Sequence, residues 1–296
     1  MHRPSQIIAI SPVITCLRAD NPSPMTGTGT NSYLLRGAEG AVLIDPGPDL
    51  DLHQEAILRE LGPDPLAAIL VTHAHLDHSA LAPRLGRATG APILASGRVD
   101  QGRSATMQRL AALGLQEGGE GLDHSFAPDQ QISDGQVLRL GGLNITVIAT
   151  PGHLSGHLSF ALGPSLFSGD HVMGWSSSLV SPPGGDMGAY MASLAKLQTQ
   201  DWRVFLPGHG APVTAPAARL AELTAHRCAR EHAVLQCLAQ APATAARLAQ
   251  MIYTDTPAAL LPAASRNILA HLIDLHERNL IRPQGRLTAD TVFELI

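Results

Sequence analysis

The sequence predicts a mixed α/β architecture in two units, residues 1–215 and residues 216–296. Short apolar runs bounded by Gly, Pro, Asn and Asp alternate with amphipathic stretches through the first two-thirds, as strands and helices sharing a core would. After about Ala215 the pattern changes to three helical stretches and a small hairpin. The chain has 296 residues, 45% hydrophobic and 15% charged, enough to bury one large core or two modest ones.

Residues 7–17, 32–35 and 41–44 have strand character, and Asp45-Pro46-Gly47-Pro48 closes the third with a turn. Residues 52–61 place Leu52, Ala56, Leu58 and Leu61 at helical spacing. Residues 67–71 read as a buried strand. The run Thr72-His73-Ala74-His75-Leu76-Asp77-His78 follows and opens a helix to about Ala88, with a further short strand at 93–95. From Ser96 to Phe126 the pattern weakens and glycine accumulates at Gly114, Gly118, Gly119 and Gly121, which predicts an insertion or lid. Strand character returns at 137–140, 143–149, 157–162 and 165–167, with Gly141-Gly142 as a hairpin turn. Residues 176–188 are loop-like, 189–197 a short helix and 204–206 a short strand.

In the second unit, residues 216–240 are a long helix, and 244–253 a second with Thr244 as its cap. Residues 264–279 are a third helix, carrying Ile268, Leu269, Leu272 and Leu275 on one face. Residues 280–282 and 291–296 pair as strands around Pro283-Gln284-Gly285. Three helices followed by a hairpin is a winged-helix pattern.

Aromatic residues make up 3% and the net charge is −5, which disfavours a base-stacking platform and a strongly basic nucleic-acid binder. Cys16, Cys228 and Cys237 are odd in number and lack C-x-x-C spacing, which excludes a disulfide framework and a zinc ribbon. The N-terminus lacks a signal-peptide pattern, and no stretch approaches 18 uninterrupted apolar residues. The expectation is a cytoplasmic protein without a membrane span.

The chemistry concentrates in the 14 histidines. His73, His75, Asp77 and His78 lie directly after a buried strand. Alternate side chains at a strand end share a side, so His73 and His75 can converge on one ion while Asp77 and His78 turn toward a second. Imidazole and carboxylate donors suit Zn²⁺ at about 2.0–2.2 Å and also fit Fe or Mn. Donors recur after strand ends in Thr150-Pro151-Gly152-His153, Phe167-Ser168-Gly169-Asp170-His171 and Leu206-Pro207-Gly208-His209-Gly210. One Gly-His is common; four strand-end donor sites in order form a set. His2, His53, His124, His232 and His276 show no ligand context and read as surface or packing residues. His157 reads as a hydrogen-bonding or structural residue.

The order H-x-H-x-D-H, G-H, G-D, P-G-H resembles the metallo-β-lactamase fold superfamily over about residues 7–215. The resemblance implies an αββα sandwich with metals at one edge of the paired sheets. It implies one metal held by His73, His75 and His153, a second held by Asp77, His78 and His209, and Asp170 bridging them. Asp45 matches the family's early aspartate, which supports the site from behind its ligands. Two Zn²⁺ per chain, or Mn or Fe in their place, would lie about 3.5–4 Å apart and lower the pKa of a shared water from about 15.7 toward neutrality. The resulting metal-bridging hydroxide would attack an electrophilic carbonyl or phosphorus, with Asp77 also orienting it. No G-x-S-x-G nucleophile motif is present.

His226-Arg227-Cys228-Ala229-Arg230-Glu231, the winged-helix pattern, Met191-Ala192-Ser193-Leu194 and Gly27-Thr28-Gly29-Thr30-Asn31-Ser32-Tyr33 resemble the lactamase-β-like subfamily across nearly the whole chain. That resemblance implies endoribonuclease action on single-stranded RNA or, as in fungal relatives, thioesterase action; fold alone does not choose. The expectation is a metal-dependent hydrolase of an ester, thioester or lactone, or of single-stranded RNA. The alternative is a nucleic-acid-binding regulator with a metal- or ligand-sensing metallo-domain. Residues 216–296 hold eight Arg and seven acids, and residues 1–215 hold twelve Lys and Arg against eighteen acids. The third C-terminal helix sets Arg266, Asn267, His271 and Arg278 against Asp274 and Glu277, so tight DNA binding is not expected. The second unit is then expected to wall the cleft or mediate a homodimer. Arg227, Arg230 and Arg266 are candidates for a weak grip on RNA phosphates. His171 and Trp175 are expected at the substrate pocket.

Overall fold

A computed structural model describes residues 5–118 and 121–296, so the readings of His2 and Gly119 lie outside the described residues. The first sheet has seven strands, adjacent in chain order: β1 (Gln6–Ser11), β2 (Ile14–Arg18), β3 (Asn31–Gly37), β4 (Gly40–Ile44), β5 (Leu66–Leu70), β6 (Ile93–Ala95) and β7 (Gln130–Gln131). Between its strands come α1 (Asp51–Leu61), α2 (Leu76–Ser79), α3 (Ala82–Thr89) and α4 (Ala105–Ala112). The second sheet comprises β8 (Val137–Leu140), β9 (Leu143–Ala149), β10 (Leu158–Leu162), β11 (Ser165–Gly169) and, after α5 (Met187–Gln198), β12 (Val204–Pro207). Its order is β12-β11-β10-β9-β8. The C-terminal unit contains α6 (Pro216–Leu238), β13 (Ala243–Thr244), α7 (Ala245–Ile252), α8 (Leu261–Glu277), β14 (Ile281–Pro283) and β15 (Val292–Leu295). Its three strands lie in the order β13-β15-β14.

Strand side chains alternate between faces, and in β4 and β5 both faces are apolar. Val42, Ile44, Ala68 and Leu70 meet Ile145, Val147, Phe160 and Phe167 of the second sheet. Ala41, Leu43 and Ile69 point the other way, onto Ala56 and Ile57 of α1 and Leu85 of α3. On the far side of the second sheet, Leu166 and Phe205 lie under Tyr190 and Leu194 of α5. The layers are therefore helix, sheet, sheet, helix.

Two local expectations change. Residues 7–17 are not one strand: Pro12 has no N–H and a fixed φ, and the run folds into the β1–β2 hairpin with Ser11 opposite Ile14. The 96–126 segment is not a free lid. Ser104 caps α4 by accepting from the Met107 N–H at 3.3 Å. Met107, Leu110 and Leu115 then enter the C-terminal core beside Val234, Leu238, Ile268 and Leu272.

Helix α6 serves both units. Leu220 and Leu223 join the layer over the second sheet, while Val234 and Leu238 join the C-terminal core. Thr244 caps α7 by accepting from the Arg247 N–H at 3.2 Å. Residues 268–273 of α8 are all buried, so more than one face of this helix is covered. Ile268, Leu269 and Leu272 face the C-terminal core, and Ala270 faces the layer over the second sheet. Among the described residues no helix is long and apolar enough to cross a membrane.

Candidate metal centre

Loops leaving both sheets meet at one place. His73 follows β5, Asp77 and His78 lie in α2, His153 follows β9, Asp170 follows β11 and His209 follows β12. His75 is pinned by an isolated bridge to Leu122. The ligand atoms of His73, His75 and His153 lie within 4.8 Å of one another, as do those of Asp77, His78 and His209, and those of His73, His78 and Asp170. Asp170 reaches both triads: Oδ2 is 3.8 Å from His153 Nε2 and 3.3 Å from His209 Nε2, and Oδ1 is 3.4 Å from His78 Nε2. Gly208 is required beside it, because a Cβ there would fall 2.5 Å from Asp170 Oδ1 and 2.6 Å from His78 Cε1.

The outer nitrogen of each ring shows which inner nitrogen carries a lone pair. Thr72 Oγ1 donates to Asp45 Oδ2 at 2.8 Å, so it accepts from His73 Nδ1–H at 2.9 Å. His78 Nδ1–H donates to Asp45 Oδ2 at 2.9 Å, His153 Nδ1–H to the Leu179 carbonyl at 2.7 Å and His209 Nδ1–H to the Gly29 carbonyl at 3.3 Å. All four rings therefore turn Nε2 into the site and leave it as the nitrogen that can bind a metal. Asp45 also accepts from the Thr72 N–H at 2.8 Å, and these bonds hold it at φ +50°, a left-handed backbone uncommon outside glycine.

The inner nitrogens face one another. His75 Nδ1 lies 2.9 Å from His73 Nε2 and 3.1 Å from His153 Nε2, and His78 Nε2 lies 3.3 Å from His209 Nε2. Lone pairs at such separations repel unless a proton or a metal cation lies between them. Asp170 Oδ1 is buried without a hydrogen-bond partner. Burial and the neighbouring rings His78 and His75 hold His73 well below the usual histidine range, and burial with His153 pushes His75 down to about 3. Against burial, Asp77 and Asp170 draw His78 up, and Asp170 draws His209 up to about 9. Also against burial, His78 and His209 pull Asp77 and Asp170 below the usual carboxylate range. His73 and His75 are held neutral, while His78 and His209 carry a proton that a bound cation would displace; with the carboxylates of Asp77 and Asp170 they form a convergent N and O donor set that divalent cations fit.

A cleft of about 290 Å³ opens onto these groups. His75, Asp77, His153, Asp170 and His209 form its floor; its wall combines the apolar Pro24, Met25, Met173, Trp175 and Leu179 with the hydroxyl residues Thr26, Ser176 and Ser177. Trp175 lies against Gly27 and Gly210, where Cβ atoms would approach its ring to 3.4 and 2.6 Å.

The substrate-contact expectations for His171, Arg227, Arg230 and Arg266 are corrected. His171 does not line the cleft: it is fully buried and packs 4.8 Å from the Tyr190 ring. Arg227 is 1% exposed, lies 5.1 Å from the Tyr190 ring centroid and donates to the Ser178 carbonyl. Arg230 lies 4.7 Å from the Tyr253 ring centroid and donates to the Ile252 carbonyl, away from the cleft. Arg266 donates to Ser181 Oγ at 2.8 Å and to the Pro182 carbonyl. Sequence reasoning missed Thr72, Thr30, which donates to Asp77 Oδ2 at 3.2 Å, and the carbonyls of Leu179 and Gly29. The hydroxyl of Thr72 had a signal, since it sits directly before His73; the carbonyls had none.

A family model described as the metallo-beta-lactamase superfamily matches residues 25–209, and one described as the beta-lactamase associated winged helix domain matches residues 244–289. The chain is similar to a beta-lactamase-like protein 2 homolog of Drosophila melanogaster, 30% identical over 93% of this chain and 94% of that protein. It is also similar to an atrochrysone carboxyl ACP thioesterase of Aspergillus chevalieri, 30% identical over 77% of this chain and 67% of that protein. A solved metallo-beta-lactamase family protein from Thermus thermophilus matches at TM-score 0.78 and 26% identity, covering 97% of this chain and all of that one.

Proposed function

Because the chain belongs to the metallo-beta-lactamase superfamily and is a metal-dependent hydrolase, we propose that it cleaves an ester or thioester with an apolar acyl group, using two divalent cations, zinc first among them. The cleft wall carries this reading. Among the described residues no Lys or Arg lines it, whereas Pro24, Met25, Met173, Trp175 and Leu179 do. RNA brings a negative phosphate with every nucleotide and is gripped by cations and several stacking rings. An acyl chain asks for apolar surface and a few placed polar groups. The Aspergillus protein is named a thioesterase, which supports the same substrate class here.

His73, His75 and His153 would hold one cation, Asp77, His78 and His209 the other, with Asp170 between them. Bound there, the cations supply Lewis acidity toward a carbonyl oxygen and lower the pKa of water. Asp77, 27% exposed against 10% for Asp170, is the carboxylate in reach of water entering the cleft. It accepts a hydrogen bond from that water and orients it toward the carbonyl carbon. Thr30 and His209 fix its Oδ2. Met25 and Trp175 cover the acyl chain and keep bulk water from it.

The test is a substrate panel on zinc-loaded protein: acyl thioesters of increasing chain length, lactones, a cephalosporin and single-stranded RNA. Turnover of apolar thioesters is expected, with kcat/KM lowered about tenfold by Trp175→Ala, the scale for one lost apolar contact. RNA cleavage without acyl turnover overturns the substrate class. Elemental analysis showing fewer than about one metal per chain after loading overturns the site itself.

A further inference from the structure

We infer that the winged-helix unit positions the metal ligands, with Arg227 and Asn267 as positioning residues that act through the strap of residues 178–182. This rests on the reading of the cluster as a two-metal site.

The strap lies in the loop between β11 and α5 and belongs to no sheet or helix. Its inner side touches the cluster. The Leu179 carbonyl accepts from His153 Nδ1–H at 2.7 Å. Ser178 Oγ donates to the Asp170 carbonyl and lies 2.9 Å from that of His171. The strap thus holds a ring of the first triad and the backbone of the carboxylate between the triads.

Among the described residues no strand or helix of the sandwich hydrogen-bonds the Ser178 carbonyl or the Val180 N–H on its outer side, yet Ser178 and Val180 are 1% and 0% exposed. Buried backbone groups need partners, and α6 and α8 provide them. Arg227 of α6 donates to the Ser178 carbonyl and, at 3.3 Å, to Asn267 Oδ1. Asn267 Oδ1 of α8 accepts the Val180 N–H at 2.9 Å. Arg266 binds Ser181 Oγ and the Pro182 carbonyl. On a recognition helix Arg266 and Asn267 would meet nucleic acid; here they meet the active-site strap. The residues that select a ring orientation for a metal thus extend into the second unit, and the strap carries their effect mainly to the triad containing His153.

Asn267→Leu removes the acceptor shared by Val180 and Arg227, whereas Asn267→Asp keeps an oxygen there. Full-length wild type and both variants are loaded with zinc, and each ion's affinity is measured by competition with a chromophoric chelator. Thermal melts of the metal-free chains run alongside. One of two zinc ions is expected to bind about tenfold more weakly in Asn267→Leu, with the other unchanged and Asn267→Asp within about twofold of wild type. Arg227→Met should repeat the loss; if it does not fold, the Asn267 pair decides alone. Wild-type affinities in Asn267→Leu overturn the inference. So does an equal weakening of both ions that follows the melt and is not restored by Asn267→Asp. Wild type binding less than one zinc overturns instead the two-metal reading on which the inference stands.

Discussion

Two kinds of buried histidine lie side by side in the protein. His73 and His157 have ring centroids 5.1 Å apart, and both are held neutral by burial. His157 has both nitrogens answered by protein groups: Nδ1 lies 2.9 Å from Thr150 Oγ1, and Nε2 accepts the Asp170 N–H at 3.2 Å. His53 is likewise closed, 2.8 Å from each of Ser32 Oγ and Ser5 Oγ. His73, His78, His153 and His209 have one nitrogen answered and the other turned toward its counterparts. Burial and a lowered pKa therefore do not mark a ligand. A second nitrogen that faces other donors does, because only a proton or a metal can occupy the space between facing lone pairs; the unanswered nitrogens of His171 and His271 belong to no such cluster.

The strongest way to break this contrast is to change one member of each kind. His73→Ala should lose one metal by elemental analysis and lower kcat/KM on the order of 10³-fold or more. His157→Gln should keep both metals and stay within about tenfold. Equal metal loss in the two would erase the distinction.

The closed class carries its own signature in acid. Burial lowers His53 to about 4 from an ordinary 6.5. The folded state therefore resists a proton that the unfolded chain accepts. The stability this histidine supports is complete above pH 6.5 and is lost as the pH falls toward 4, about 2–3 kcal/mol by pH 4.5. Urea unfolding at pH 7 and pH 4.5, both with chelator present, should show His53→Gln losing less stability on acidification by that amount. An identical loss would mean that His53 is not held neutral by the fold.

A smaller effect is expected behind the open class. Asp45→Asn suits the left-handed backbone at this position but weakens the acceptor shared by Thr72 and His78. Metal affinity should fall about 10–100-fold while the fold persists. Unchanged affinity in a chelator competition would show that the outer nitrogens do not matter to the inner ones.

What the sequence made legible was local. His73, His75, Asp77 and His78 could be read because their side chains carry their identity and sit at spacings that a strand end turns to one side. The layered sandwich was legible because β4 and β5 are apolar at every position. The Leu179 and Gly29 carbonyls were not, since every residue has a carbonyl and only the fold aims it. Arg227 and Arg230 look like exposed cations on an amphipathic helix; Tyr190, Tyr253 and the strap that cover them are distant in sequence. Helix α4 gave a weak pattern because Met107 and Leu110 answer a core whose members beyond Leu115 begin at Val234. His171 follows Asp170 directly and points away from it, into the layer under α5.

Helix α6 runs unbroken for 23 residues, about 34 Å. One end is rooted over the second sheet and the other forms the C-terminal core. The two units are therefore joined by a stiff rod where multidomain enzymes often have a hinge. Closing them like jaws would mean interrupting a continuous ladder of helical hydrogen bonds. The motion left to the second unit is shear, a small sliding of α6 and α8 against α5. The cleft, lined by residues 24–209 alone, therefore keeps its shape while the second unit slides, and selection among substrates falls to the side chains of its wall.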